Sequence, residues 1–193
     1  MAAPVRTRLD LDARRAQLVA VGMQLFSERA YDEIAIDDIA AAAGISKGLL
    51  YHYFPSKRDF YVETVRQAAA QLVQATEPPA DSEPLDALRH GLGAYLGYVE
   101  THRTGYVTLT RGGIGSDPEV RGIVDGARDA IAARMLAGLP GAPSELQRLA
   151  VRGWLGFVEA AALEWLERGS PSREAVRALC AQAFLGALAA AGG

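Results

Sequence analysis

Apolar and polar residues alternate with a helical period along most of this chain. Leu18, Val21, Leu25 and Phe26 recur at three- and four-residue steps and predict a first helix over residues 12–29. Ile39, Ala40 and Ala43 form a short stripe that predicts a second helix over 37–43. Gly44 follows, at a point where a positive φ would reverse the chain without a side-chain clash. Ser46 can then cap a third helix over 46–52, whose inward positions are Leu50 and Phe54, four apart. A fourth helix, capped by Ser56, runs to about residue 76 and is stopped by Glu77-Pro-Pro-Ala-Asp-Ser-Glu-Pro84. Five more helices are predicted at 84–101, 103–111, 118–138, 144–168 and 172–190, separated by Gly- and Pro-rich breaks, with Asp117, Ser144 and Ser172 as caps. The expected fold is all-α. Residues 1–54 form a three-helix module with a helix-turn-helix and a flexible arm at 1–10, and residues 55–193 form a second helical domain.

The turn at Gly44 carries the first functional signal. With Leu50 and Phe54 turned inward, Ser46, Lys47, Leu49, Tyr51 and Tyr53 are left for the outside. A short helix that shows Ser, Lys and Tyr to solvent after a glycine turn suits a DNA groove. The chain has only two lysines, Lys47 and Lys57, and both fall in this stretch. Taken singly, each reads as an ordinary solvated lysine; it is their placement about the turn that points to phosphate or base contacts.

Charge adds to this only locally. The net charge of −3 argues against binding of polyanions by the whole chain. Residues 1–76 hold nine basic and nine acidic groups, and the three acids in excess all lie beyond residue 76. From Gly44 to Arg58 there are Lys47, Lys57 and Arg58 and no acid, and Arg6 and Arg8 make the arm basic. The single cysteine, Cys180, excludes a disulfide within the chain and fits a reducing cytoplasm. No apolar run approaches the ~18 residues of a membrane span, and no apolar stretch follows the N-terminal arginines as in a signal peptide.

The segment from about Gln17 to Thr64 resembles the DNA-binding domain of the TetR family of bacterial transcriptional regulators. The matching residues are Ala20, Leu25-Phe26, Tyr31-Asp32, Asp38-Ile39-Ala40, Ala43-Gly44-Ile45-Ser46-Lys47-Gly48, Leu50-Tyr51-His52, Tyr53-Phe54 and Ser56-Lys57. The resemblance covers about a quarter of the chain. It implies that Tyr51 faces operator DNA; with the charge and spacing above, the expected DNA-facing residues are Arg6 and Arg8 of the basic arm and Ser46, Lys47, Gly48, Leu49, Tyr51, His52, Tyr53 and Lys57. This chain departs from the family pattern at Ala30, where Gly is usual, and at Ala35, where a capping Thr or Ser is usual. It departs again at Asp37, often basic or neutral in the family, and at Leu49, which leaves only an apolar base contact there.

The last two predicted helices are apolar on more than one side, which means either deep burial or an interface. Leu155, Val158, Phe184, Leu185 and Leu188 are the residues expected at a dimer contact, with a thicker core as the alternative. The resemblance implies the same four-helix dimer. In the middle helices Tyr95, Tyr98, Tyr106, Thr110, Arg111, Trp154 and Phe157 either pack the core or line a ligand cavity, on helices thinned by Gly91, Gly93, Gly97 and Gly105. Arg111 either caps carbonyls or meets an anionic ligand.

Searches for catalytic and metal-binding patterns come back empty. His90 and His102 are too far apart for a helical metal pair, and Cys180 sits on an apolar stripe where a buried, inert thiol is expected. No catalytic residue, cofactor or metal is expected. The reading is a cytoplasmic, homodimeric, ligand-responsive DNA-binding regulator. Its partners would be a palindromic operator and a small, mostly apolar effector, with no membrane, and the resemblance implies a repressor released by that effector. The rival classes are a helical carrier or enzyme with no role on DNA, and a DNA-binding regulator without an inducer.

Overall fold

The computed structural model describes the backbone of residues 5–111 and 113–192, with side chains from residue 11 onward. Among these residues every regular element is helical: α1 (Val5–Glu28), α2 (Ile36–Ala42), α3 (Lys47–Tyr53), α4 (Lys57–Ala75), α5 (Pro84–Thr101), α6 (Arg103–Arg111), α7 (Pro118–Ala137), α8 (Glu145–Arg168) and α9 (Arg173–Ala191). Single 3₁₀ turns stand at Tyr31–Glu33 and Gly113–Ser116. The expected arm needs correction, since the chain is already helical from Val5. Arg6 and Arg8 lie in that first stretch of α1, and their side chains are outside those described.

The helices gather into two units. One comprises the chain up to Ala68 together with His102–Arg121; the other comprises Ala69–Thr101 and Gly122–Gly193. The cuts fall within α4, between α5 and α6, and within α7. The reason is α6, which packs across the C-terminal end of α1. Gly105 makes that approach possible, because a Cβ there would lie 2.6 Å from the Phe26 carbonyl oxygen.

In the first unit Leu18, Val19 and Phe26 of α1, Ile36, Ile39 and Ala40 of α2, Leu50 of α3, Phe54, and Phe60, Tyr61, Val62 and Val65 of α4 form a continuous buried core. Its aromatic rings meet edge to face: Phe26 on Tyr61 at 4.8 Å and Phe54 on Phe60 at 4.9 Å between centroids. Gly22 lets α1 lie close on α4, since a Cβ there would come within 2.6 Å of the Phe60 ring.

In the second unit α8 pairs with α9, and α5 lies against α9. Ser144 and Gln147 form a reciprocal capping box at the start of α8, and Gly169, at φ +66°, ends that helix. Ser172 caps α9 as expected. The indole N–H of Trp154 donates to the Cys180 carbonyl at 2.8 Å, and its ring packs on Phe184 at 4.7 Å. At the end of α4, Arg134 of α7 donates to the Val73 carbonyl and to Thr76 Oγ1.

Two expectations about the terminal helices change. Val158 and Phe184 belong to the core of the protomer, while Leu155 and Leu188 are half-buried and Leu185 is exposed. The apolar face turned outward keeps only Leu185 of the expected set. On α8 it runs through Leu149, Gly153, Gly156, Phe157 and Ala160, and on α9 through Leu179, Leu185, Gly186 and Ala189, with Gln182 the polar residue among them. Second, α9 is long and apolar enough by composition to cross a membrane, contrary to the sequence expectation; its inward face is Val176, Cys180, Ala181 and Phe184.

Candidate nucleic-acid interface

The chain between Ala35 and Phe54 builds the helix-turn-helix from local rules. Ala35 has no hydroxyl to cap α2, so Asp38 covers part of the loss: its carboxylate accepts the Ala35 N–H at 2.9 Å. At the other end Gly44, at φ +64°, donates to the Ala41 carbonyl, and Ile45 donates to Ala40. This pair of bonds is the glycine-dependent stop that frees the chain to turn. Ser46 then caps α3, its hydroxyl oxygen accepting the Leu49 N–H at 3.2 Å.

Burial divides α3 as its spacing predicts. Leu50 and Phe54 are fully buried and anchor the helix. Ser46, Lys47, Gly48, Leu49, Tyr51 and His52 are exposed, and Tyr53 is half-exposed against the His52 ring. A Cβ on Gly48 would meet nothing, so packing within the protomer does not call for glycine there.

The cations are where tertiary structure departs from the local reading. Lys47 Nζ lies 2.9 Å from Asp37 Oδ2, and this hydrogen bond raises its pKa. Lys57 Nζ sits 4.0 Å from the centre of the Tyr31 ring, and burial lowers its pKa. Arg58 is held by both oxygens of Asp117, at 2.7 and 2.9 Å, and reaches Glu119 at 3.2 Å. Asp117 also caps α7, accepting from the Glu119 and Val120 N–H groups. From there the charges continue through Glu119 to Arg66, Glu63 and Arg15. The sequence patch without acids is thus met by acids from elsewhere in the chain. Sequence reasoning named Tyr31, Asp37 and Asp117 but not their pairing with these cations. Arg58 and Asp117 are 59 residues apart, a separation at which no local pattern operates.

The residues expected to line a pocket fall in both units. Tyr106, Thr110 and Arg111 belong to one unit, and Tyr95, Tyr98, Trp154 and Phe157 to the other. Thr110 donates its hydroxyl to the Tyr106 carbonyl of its own helix. Trp154 is core, and Phe157 is exposed. Burial pushes the Tyr98 phenol up to about 12. A Cβ at Gly91, Gly93 or Gly97 of α5 would make only ordinary contacts, at 3.5, 3.9 and 3.7 Å to the Thr76 carbonyl, Arg177 and Arg173, so packing within the protomer does not require glycine there. A separate open groove of about 540 Å³ lies within the second unit, among Asp129, Ala132, Leu136, Gly141, Arg148 and Arg152. None of the expected pocket residues lines it.

Known proteins repeat both the sequence and the fold. Residues 18–64 match the bacterial regulatory proteins, tetR family, and residues 84–186 match the tetracyclin repressor-like C-terminal domain. The HTH-type transcriptional activator FasR of Mycolicibacterium smegmatis is 31% identical over 127 residues, which are 64% of this chain and 57% of that protein. The HTH-type transcriptional regulator EthR of Mycobacterium tuberculosis is 31% identical over 106 residues, 53% of this chain and 47% of that protein. The chain therefore spans about half the length of the curated relatives it matches. A tetR-family regulator from Streptomyces coelicolor superposes with a TM-score of 0.87 at 32% identity, covering 93% of this chain and 82% of its own. With a helix-turn-helix at its N-terminus and a matching helical C-terminal domain, the chain belongs to the TetR family of bacterial transcriptional regulators.

Proposed function

We propose that this protein binds a palindromic operator as a cytoplasmic homodimer, with α3 of each protomer in the major groove. A small, mostly apolar molecule bound in the helical C-terminal part would release it. The single observation that carries the DNA reading is α3 itself. It is a capped helix anchored by Leu50 and Phe54 that turns Ser46, Lys47, Gly48, Leu49, Tyr51 and His52 to solvent. In this reading Tyr53 and Lys57 flank the contact, and Arg6 and Arg8 extend it.

The outward faces of α8 and α9 support the dimer. Gly153, Gly156 and Gly186 would each meet nothing if given a Cβ, so their small size has no purpose within one protomer. Beside them Leu149, Phe157, Leu179 and Leu185 are each at least 40% exposed. Apolar side chains around small residues suit close approach of a second copy. Leu155 and Leu188 border this face, and Leu185 lies in it.

For the effector, a structural neighbour of 15% identity, FadR of Bacillus subtilis, was solved in complex with stearoyl-CoA. That likeness shows the fold, and it makes stearoyl-CoA a reasonable first probe. Tyr95 and Tyr98 on α5, with Tyr106, Thr110 and Arg111 on α6, remain the polar tips to examine. The direction of regulation proposed is repression.

The test begins with selection of duplexes from a random pool by the purified protein, followed by titration of the selected site with and without stearoyl-CoA and a panel of aromatic and aliphatic acids. Release of tenfold to a hundredfold corresponds to about 1.4–2.7 kcal/mol of coupling. Reciprocity then requires the operator to weaken effector binding by the same factor. Equal effector affinities with and without operator would refute the inducer mechanism. Failure to enrich any palindrome would refute the DNA reading.

A further inference from the structure

Among the described side chains, the cations beside α3 are engaged within the protein. Arg58 is taken by Asp117 and Glu119, and Lys57 lies on the Tyr31 ring. Arg29 is bonded to Asp38 at 3.4 Å. Lys47, at the start of α3, is paired as well: its ammonium donates to Asp37 on the neighbouring helix α2. Both partners are exposed, Lys47 at 48% and Asp37 at 67%. Exposed ion pairs of this kind contribute little to stability. Their effect on a polyanion is larger, because DNA binding draws on each unpaired cation through counterion release.

We infer that Asp37 is a specificity-determining residue: by holding Lys47, it suppresses attraction to arbitrary duplex DNA and reserves that lysine for a base edge. The inference rests on α3 being the DNA-facing helix. On a non-cognate site Lys47 must exchange Asp37 for a phosphate, and the carboxylate is left beside the anionic backbone. The exchange gains almost nothing. On the cognate site an ammonium with three N–H donors keeps Asp37 and also donates to an acceptor such as guanine O6 or N7. Asp37 thus penalises wrong sequences more than the right one. The residue acts through Lys47 and is a positioning residue.

The experiment measures fluorescence anisotropy of a labelled random-sequence duplex and of the duplex selected by the protein, between 50 and 200 mM salt. The proteins are the parent, Asp37→Asn, Asp37→Glu, Lys47→Gln and the double variant Asp37→Asn/Lys47→Gln. Freeing one cation for phosphate should steepen the log–log salt slope by about 0.9 and tighten random-duplex binding roughly eightfold near 0.1 M salt. Asp37→Asn should show both changes, with a smaller gain on the selected duplex, so that the specificity ratio falls. Asp37→Glu should restore the parent ratio. In the Lys47→Gln background the gain from Asp37→Asn should largely vanish. An unchanged slope and affinity for Asp37→Asn would overturn the inference. So would an equal gain in both backgrounds, which would mean simple removal of a negative charge. A parent that enriches no sequence would defeat the DNA reading itself. A parent that binds a selected site, with a Lys47→Gln variant weakened on it and an Asp37→Asn variant indifferent, would defeat only the role of Asp37.

Discussion

Phe184 and Leu185 are neighbours on α9 with opposite duties, and a pair of substitutions separates them. Phe184 is 7% exposed and packs on Trp154, whose indole is tied to the Cys180 carbonyl. Phe184→Ala removes a buried ring between α8 and α9, a change that costs about 3–5 kcal/mol. Against the ~5–15 kcal/mol that holds a typical domain together, this is a large loss. The expected result is a marked drop in the denaturant midpoint, with red-shifted emission from Trp154 and Trp165. Leu185 is already 40% exposed, so Leu185→Asp should change the protomer by less than about 1 kcal/mol. In a symmetric dimer, however, the substitution places two carboxylates against the partner's apolar face. Desolvating them costs several kcal/mol, and every 1.4 kcal/mol is tenfold in affinity. Leu185→Asp should therefore raise the dissociation constant of the dimer a thousandfold or more and sediment as a helical monomer at micromolar concentration. Sedimentation velocity and circular dichroism on the same samples provide the assay. A Leu185→Asp protein that stays dimeric would refute the assignment of the outward face. A Phe184→Ala protein as stable as the parent but monomeric would show that the two residues had been assigned the wrong way round.

Other expectations follow from single contacts. Gly105→Ala would put a methyl 2.6 Å from the Phe26 carbonyl; overpacking costs about 1–3 kcal/mol against a helix-propensity gain near 1, so net destabilisation in urea is expected. Gly156→Ala meets nothing in the protomer, and should leave the protomer's own stability equal or higher while weakening the dimer in sedimentation. Lys57→Ala should weaken binding to all duplexes and flatten the salt slope by about one unit; an unchanged slope would mean that Lys57 stays on the Tyr31 ring in the complex. The Arg58 guanidinium holds Asp117 below its ordinary pKa of 3.8. A depressed carboxylate contributes stability above its unfolded pKa and loses it as pH falls through the lower folded value. Asp117→Asn should thus be less stable than the parent at pH 7 and show a flatter loss of stability below about pH 4, read from denaturant midpoints across that range.

The helices, their caps and the turn were legible in the sequence because they follow rules that act within four or five residues. Gly44 stops α2, Ser46 starts α3, and the spacing of Leu50 and Phe54 sets which side of α3 is anchored. Those constraints also determined which side chains the reading helix shows, and so the kind of partner it suits. Tertiary structure decided what spans long stretches of chain. The pairing of Arg58 with Asp117, the seat of Lys57 on Tyr31 and the tie between Lys47 and Asp37 depend on where separate helices cross. A charge count along the sequence sees the cations of that surface but not the acids brought to them from outside the stretch. The same holds for the doubly apolar α8 and α9. Hydropathy marks both of their apolar sides alike, and only packing around Trp154 assigns Val158 and Phe184 to the core and leaves Phe157 and Leu185 outside. Gly105 is the sharpest case: in sequence it is a weak point in a helix, and in the fold it is the place where α6 can touch the backbone of α1.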